Sequence, residues 1–110
     1  MTGAEEVLGF WLDEVGPEGW YKVDPDLDAR IRERFLGMWE GATEGRFALW
    51  LTYPSGALAH IILTDQFPRN MFRGEPRAFE TDMAALAAAK SAIQRGWDLR
   101  IDEPARQFFY

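Results

Sequence analysis

The segment between residues 65 and 73 carries the side chains with the clearest chemical potential in this sequence. Its candidate binding residues are Asp65, Arg69, Asn70 and Arg73. A guanidinium group pairs with a carboxylate in a directional geometry, and guanidinium groups also bind carboxylate or phosphate ligands. This segment is therefore the candidate site, and its charges serve either the fold or a ligand.

The placement of Asp65 predicts that its carboxylate has a cationic partner. Asp65 follows Ile61 and Ile62 by four and three residues, which puts it on the apolar face of a predicted helix. A carboxylate that is buried without a partner is costly. We therefore expect Arg69 or Arg73 to fold back onto Asp65.

Three interpretations of this segment remain open. In the first, Asp65 and an arginine lock the elbow between two helices, and Asn70 shapes the turn. In the second, Arg69, Asn70 and Arg73 bind an anion while Asp65 orients the arginines. In the third, Asp65 is a general base, although no nucleophile or second acid stands at a meaningful spacing. The sequence assigns no catalytic residue and leaves open whether the protein is an enzyme.

The remaining polar residues exclude several other kinds of site. The chain has no cysteine and a single histidine, His60, which excludes thiolate and multi-histidine metal sites. It contains no phosphate-binding glycine loop or zinc signature, so we expect neither a metal nor a cofactor. We expect His60 at the surface or in an interface. Asp82 is expected to cap a helix or face solvent, with a contact to the arginines as the alternative.

The charge balance disfavours nucleic acid and membranes as partners. The 110 residues include 18 acidic and 12 basic side chains and carry a net charge of −6, which repels phosphate backbones and anionic lipids. Arg69, Arg73 and Arg77 outnumber the acids around them, which predicts a small positive spot. No signal peptide or bilayer-spanning stretch is evident, so the expected location is the cytoplasm.

Hydrophobic periodicity predicts an all-α fold of about five helices. The predicted helices cover residues 3–14, 25–44, 55–67 and 76–95, and a last one starts near Asp102. Thr2 with Glu5 fits a capping box for the first helix, and Asp24 with Pro25 fits the start of the second. The short connections predict that consecutive helices pack antiparallel as hairpins.

Three features of these helices bear on the site. The stretch 16–19, with its glycines and proline, should form a loop. The helix over residues 55–67 has little polar face, so it should be central, and Pro68 should end it near Phe67. In the helix over residues 76–95, large apolar residues recur at helical intervals and the alanines let a neighbouring helix approach closely. Four tryptophans are expected in the core: Trp11, Trp20, Trp39 and Trp50.

The run over residues 61–70, followed by Phe72-Arg73-Gly74, resembles the signature of an uncharacterised bacterial family, domain of unknown function 924. Residues 7–11, 31–35 and 76–79 agree with it in order along the chain. The resemblance implies a tetratricopeptide-like fold of antiparallel helix pairs and no established activity.

The resemblance also implies that residues 1–110 form a single helical domain, the N-terminal part of a longer one. Family members usually continue past the position of Tyr110, so a site built from both halves would be incomplete here. We therefore expect a truncated chain, or one that self-associates through its C-terminal aromatic residues, Phe108, Phe109 and Tyr110.

Two functions follow from these expectations. The first is a helical-repeat scaffold that binds a protein or peptide partner on a concave face. The alternative is an anion-binding protein or hydrolase that uses the Asp65–Arg73 segment. A third reading, a remnant without function, would also fit a truncated chain.

Overall fold

The computed structural model describes residues 3–110 and contains helical segments without a strand in that range, which confirms the all-α prediction. The α-helices are α1 (Ala4–Leu8), α2 (Gly16–Gly19), α3 (Pro25–Thr43), α4 (Pro54–Ile61), α5 (Phe67–Met71) and α6 (Asp82–Gln94). The proposed capping box uses Thr2, which lies outside the described residues. Short 3-10 turns cover Ala48–Thr52, Pro76–Phe79, Trp97–Arg100 and Ala105–Phe109.

Helix α3 begins and ends where the sequence predicts. The Asp24 carboxylate accepts hydrogen bonds from the amides of Asp26 and Leu27 at 3.0 and 3.2 Å, and Pro25 occupies the first turn. These bonds satisfy amides that the helix itself leaves without partners. The helix packs against the core with an apolar stripe at helical spacing. The residues of this stripe are Leu27, Ile31, Phe35 and Trp39.

The central helical segment is longer than predicted, because it runs past Pro68 to Met71. A π-helical stretch, Ile62–Gln66, joins α4 to α5, and the Phe67 amide donates to the Ile62 carbonyl five residues back. The wider turn shifts the hydrogen-bond register just before the proline. Pro68 then lies in the first turn of α5, where a missing amide hydrogen costs little. The prediction that the helix ends near Phe67 is therefore wrong.

Three other predicted boundaries also change. The stretch Gly16–Gly19 is a helical turn rather than a loop, and it follows a π segment, Gly9–Val15, that extends α1. The helix predicted over residues 76–95 is divided into a 3-10 turn and α6, because the backbone of Thr81, between them, is not helical. The last predicted helix is only the 3-10 turn Ala105–Phe109.

The segment over residues 54–71 is central, as predicted. Helix α4 packs against α1 and α6, while α5 packs against α3. Aromatic rings from three parts of the chain meet there: the Phe35 centroid lies 5.2 Å from Phe10 and 4.7 Å from Phe67. The tryptophans expected in the core, Trp11, Trp20, Trp39 and Trp50, are buried. The tetratricopeptide-like arrangement and the single-domain boundaries stay predictions.

Helix α6 buries four of its alanines and exposes its larger apolar residues. Its buried residues are Ala85, Ala88, Ala89 and Ala92, and they pack toward α4. Met83, Leu86 and Ile93 lie outside this alanine stripe and are exposed. The alanines allow the close helix approach that the sequence predicts. The apolar residues at helical intervals are not its core-facing stripe.

Two of the three C-terminal aromatic residues find local surface to pack against. Phe109 is buried, and the Phe108 ring lies 4.8 Å from the Trp20 ring, edge to face. Tyr110 is exposed, and its hydroxyl donates to Asp98 at 2.6 Å. Self-association through these three residues stays a prediction. Tyr110 is the one of the three whose side chain is largely exposed.

Candidate functional site

Asp65 and Arg69 form the ion pair that the sequence predicts, one helical turn apart. Arg69 Nη1 lies 2.7 Å from Asp65 Oδ1 and 2.5 Å from the Asp65 carbonyl oxygen. The Asp65 side chain is 41% exposed, so the expectation of a carboxylate held inside the apolar face is wrong. Asp65 lies within the π-helical stretch, whose wider turn departs from the 3.6-residue spacing on which that expectation depends.

The other terminal nitrogen of the Arg69 guanidinium contacts α6. Arg69 Nη2 lies 3.3 Å from Asp82 Oδ2, at the first residue of that helix. The Arg69 guanidinium also lies over the Phe79 ring at 5.3 Å, within cation–π range. Asp82 thus makes the contact that the sequence analysis kept as an alternative. One arginine bridges α5 to α6.

Asn70 and Arg73 converge on a different carboxylate, that of Asp28 on α3. Arg73 holds it with two bonds, Nε to Oδ2 at 2.8 Å and Nη2 to Oδ1 at 3.1 Å. The buried Asn70 donates from Nδ2 to Asp28 Oδ1 at 2.9 Å and accepts from Gln66 Nε2 at 3.1 Å. The structure therefore does not bring Arg73 to Asp65. The four candidate residues divide into two clusters.

Asp28 is the most enclosed carboxylate of the two clusters, with a side chain that is 16% exposed. Burial by itself raises its pKa, but hydrogen bonds from Arg73 and Asn70 together outweigh burial and leave the pKa below its ordinary value. The same pairing raises the pKa of Arg73. Asp28 is therefore ionised at neutral pH and fully engaged, which makes it a poor proton acceptor.

The positive spot predicted around the arginines does not form. Arg69 and Arg73 are matched by the carboxylates described above, and Arg77 Nη2 lies 3.8 Å from Glu40 Oε2. The Arg77 guanidinium also covers the Phe72 ring at 4.4 Å. The neutralising acids come from distant positions in the chain, so counting local charges could not reveal them.

Asp28 is the site residue that the sequence analysis missed. A usable signal existed, because Asp28 precedes Ile31 by three residues and Phe35 by seven, which places it beside the buried stripe of α3. That spacing indicates a half-buried carboxylate, but it does not identify the partner.

His60 lies in the interior rather than at the surface, so its sequence-based placement is wrong. It is 8% exposed on α4, and burial lowers its pKa. Its Nδ1 atom has no hydrogen-bond partner among residues 3–110. The ring lines a cavity between α4 and α6 that also involves Ser91 and Trp97. Residues 56–61 of α4 are all buried, so this part of the helix has no solvent-facing side for the imidazole.

Within residues 3–110 no cluster of three or more metal-ligating side chains is present, and no helix in that range has the length and apolarity to cross a membrane. The two polar clusters consist of ion pairs and amide hydrogen bonds. What the arrangement does chemically is to tie α3, α5 and α6 together.

Residues 7–110 match a family described as bacterial protein of unknown function, DUF924. The chain belongs to this family. The match includes the resemblance motif over residues 61–70 and both polar clusters. A search of curated proteins finds no match.

A solved structure of a protein of unknown function from Agrobacterium tumefaciens is similar over nearly the whole chain. The TM-score is 0.92 at 36% sequence identity, and the match covers 97% of this chain. It covers 60% of the Agrobacterium chain, so this sequence spans about three fifths of that relative's length. The family and its fold are thus shown, and neither comparison supplies an activity.

Proposed function

We propose that this protein is a helical scaffold that binds a helical polypeptide through an exposed apolar face of α6. The observation that carries the proposal is the exposure of Met83, Leu86 and Ile93, which we call the α6 face. Met83 is 84% and Leu86 is 55% exposed. Large apolar side chains that are clustered and exposed mark interaction surfaces more often than isolated ones do.

The geometry of the α6 face suits a partner helix. Leu86 follows Met83 by three residues and precedes Ile93 by seven, so the three side chains form one stripe along the helix. A helical partner packs against such a stripe with its own apolar residues at the same spacing. Methionine adds a flexible side chain that adapts to different partners.

The Agrobacterium relative offers a concrete partner for a test. The part of its chain outside the match amounts to about two fifths of its length. We assign that additional polypeptide to the α6 face as its partner, and the proposal predicts that it presents a helix there. The tetratricopeptide-like hairpins and the cytoplasmic location expected from the sequence remain parts of this proposal.

The test is calorimetric titration of this protein with the unmatched part of the Agrobacterium chain, produced as a separate polypeptide. We expect a double variant, Met83→Glu with Leu86→Glu, to weaken binding at least tenfold, which corresponds to about 1.4 kcal/mol. The matched control replaces two other exposed apolar residues, Val23→Glu with Leu49→Glu, and should change the affinity less than about twofold.

Two results would contradict the proposal. One is the absence of binding at a polypeptide concentration of about 1 mM, which corresponds to an association weaker than about −4.1 kcal/mol. The other is equal weakening by both double variants, which would show that general surface charge, rather than the α6 face, controls the association.

The alternative of an anion-binding protein or hydrolase receives less support from the geometry. An anion would have to displace Asp65 and Asp82 from Arg69, or Asp28 from Arg73. Each displacement costs an existing charge-assisted hydrogen bond. The interpretation that fits these contacts better is the structural one, in which the arginines fix the elbow between α5 and the neighbouring helices.

A further inference from the structure

The contact between α4 and α6 is incomplete, and α6 contributes small side chains to it. The buried residues of α6 are all alanines, and a cavity of about 240 Å³ lies between the two helices. Small side chains bury little apolar surface, so this contact contributes less to stability than a contact between large residues would. A modest additional cost at this place is therefore enough to open it.

His60 is the polar residue that is enclosed at this contact. It lies on α4, lines the cavity and is 8% exposed. Its Nδ1 atom has no hydrogen-bond partner in the described part of the chain. A protonated imidazole carries an N–H group on both nitrogens, so protonation in place would leave a charged donor at Nδ1 without an acceptor. An unpaired charge is costly in the interior, and the cost disappears when water reaches the ring.

The charged residues around α4 do not offset this cost. The elements that pack against α4 carry acids that would attract an imidazolium: Glu5, Glu6, Asp65, Asp82 and Asp98. They also carry bases that would repel it: Lys90, Arg100 and Arg106. None of these side chains lines the cavity with His60. Burial lowers the pKa of His60, and none of these acids raises it in return.

We propose that His60 makes the contact between α4 and α6 acid-labile: a proton on the buried imidazole separates α6 from α4, while α3 and α5 stay packed together. The separation lets water hydrate the charged ring. Because α6 also carries the α6 face, its release changes the apolar surface that the protein presents. The device does not depend on whether that face binds a partner, since it requires only the contact between the two helices.

The pH range of this response follows from the direction of the pKa shift. His60 is the single histidine of the chain, and no other type of side chain has an ordinary pKa between pH 5 and pH 7. Since its pKa is lowered in the closed state, the open state binds more protons once the pH falls below the ordinary value of 6.5. The contact therefore weakens as the pH falls through 6.5, and the weakening levels off below the pKa of the closed state.

Hydrogen exchange of the backbone amides, followed by NMR at pH 7 and at pH 5, measures the opening of each helix once the intrinsic pH dependence of exchange is removed. We expect the protection factors of the α6 amides to fall at least about fivefold from pH 7 to pH 5. Those of α3, which packs mainly against α5, should change less than about twofold over the same range.

Three variants assign the response. His60→Leu and His60→Gln replace the imidazole by side chains that do not titrate, one apolar and one polar, so α6 protection should change less than about twofold. Asp98→Asn is the matched control. Asp98 is a buried acid on an element that packs against α4, and asparagine still accepts the hydrogen bond from Tyr110. This variant should keep the full response.

Three outcomes would overturn the proposal. The first is α6 protection in the unaltered chain that does not fall between pH 7 and pH 5. The second is an equal fall in α3 and α6, which would show that acid weakens the whole fold rather than one contact. The third is a response that persists in either His60 variant or disappears in Asp98→Asn.

Discussion

The two polar clusters and the α6 face differ in how far the chain itself satisfies their side chains. Around Arg69 and Arg73, each guanidinium already has a carboxylate partner, and the buried Asn70 both donates and accepts. On α6, Met83 and Leu86 remain exposed. The charged side chains of the two polar clusters are thus paired with other residues of the chain. The apolar side chains of the α6 face have no such partner among the described residues and are exposed to solvent.

This comparison shows that a charged motif can serve the packing of helices, while an apolar stripe can remain exposed and available for a partner. A cluster of arginines suggests a ligand, but each one here connects two helices. An apolar helix stripe suggests a core, but the alanines of α6 take that position. The predictions below test the comparison from the largest expected effect to the smallest.

Replacing Asp28 by alanine should cause the largest loss of stability. It leaves the buried Asn70 without its acceptor, at a cost of about 2 kcal/mol. It also removes the pair with the half-exposed Arg73, which contributes up to about 1 kcal/mol. The free energy of unfolding in urea measures the loss. Asp26→Ala, an exposed change in the same helical turn, should cost less than about 0.5 kcal/mol. Similar losses in both variants would mean that the pairing contributes little.

Enlarging the buried face of α6 should be the next most harmful change. Ala92 is 1% exposed, so Ala92→Leu overpacks the contact with the central helix and should cost about 2 kcal/mol. Leu86→Ala, outside the alanine stripe, should cost less than about 0.5 kcal/mol. Urea unfolding of both variants checks this order. The reverse order would show that the α6 face is packed against the protein in solution.

Removing Arg69 should have a smaller effect. Its side chain and both carboxylate partners are more than a third exposed, so Arg69→Ala should cost about 1 kcal/mol. Thermal unfolding with and without inorganic phosphate separates the structural interpretation from anion binding. We expect no phosphate-dependent rise in Tm. A rise that disappears in Arg69→Ala would restore the anion-binding hypothesis.

Acid should destabilise the protein through Asp28 by less than the alanine substitution does. The pKa of Asp28 is lowered in the folded state, so its stabilising effect is complete above the unfolded-state value of about 3.9. The effect is lost as the pH falls through the lower folded-state pKa. Unfolding free energies between about pH 5 and pH 2 should therefore fall less in Asp28→Asn. Parallel curves for the two proteins would contradict the assignment.

The sequence predicts those parts of the molecule that depend on local spacing. Asp24 and Pro25 mark the start of α3, the apolar run over residues 57–63 marks the central helix, and Asp65 with Arg69 are one turn apart. Each of these features needs only residues that are close together in the chain.

The sequence does not predict features that depend on which helices meet. Periodicity shows that α6 has an alanine side and a side with larger residues, but only the neighbouring helix decides which is buried. The partner of Arg73 comes from 45 positions away. The π turn before Pro68 has no simple signal in the sequence, and Asp65 lies within it.

The measurement that tests this account most directly is NMR mapping of the amide shifts of this protein during titration with the unmatched part of the Agrobacterium chain. We expect the largest shifts at Met83, Leu86 and their neighbours, with residues 65–73 nearly unchanged. Shifts centred on Arg69 and Arg73, with α6 unaffected, would contradict the account.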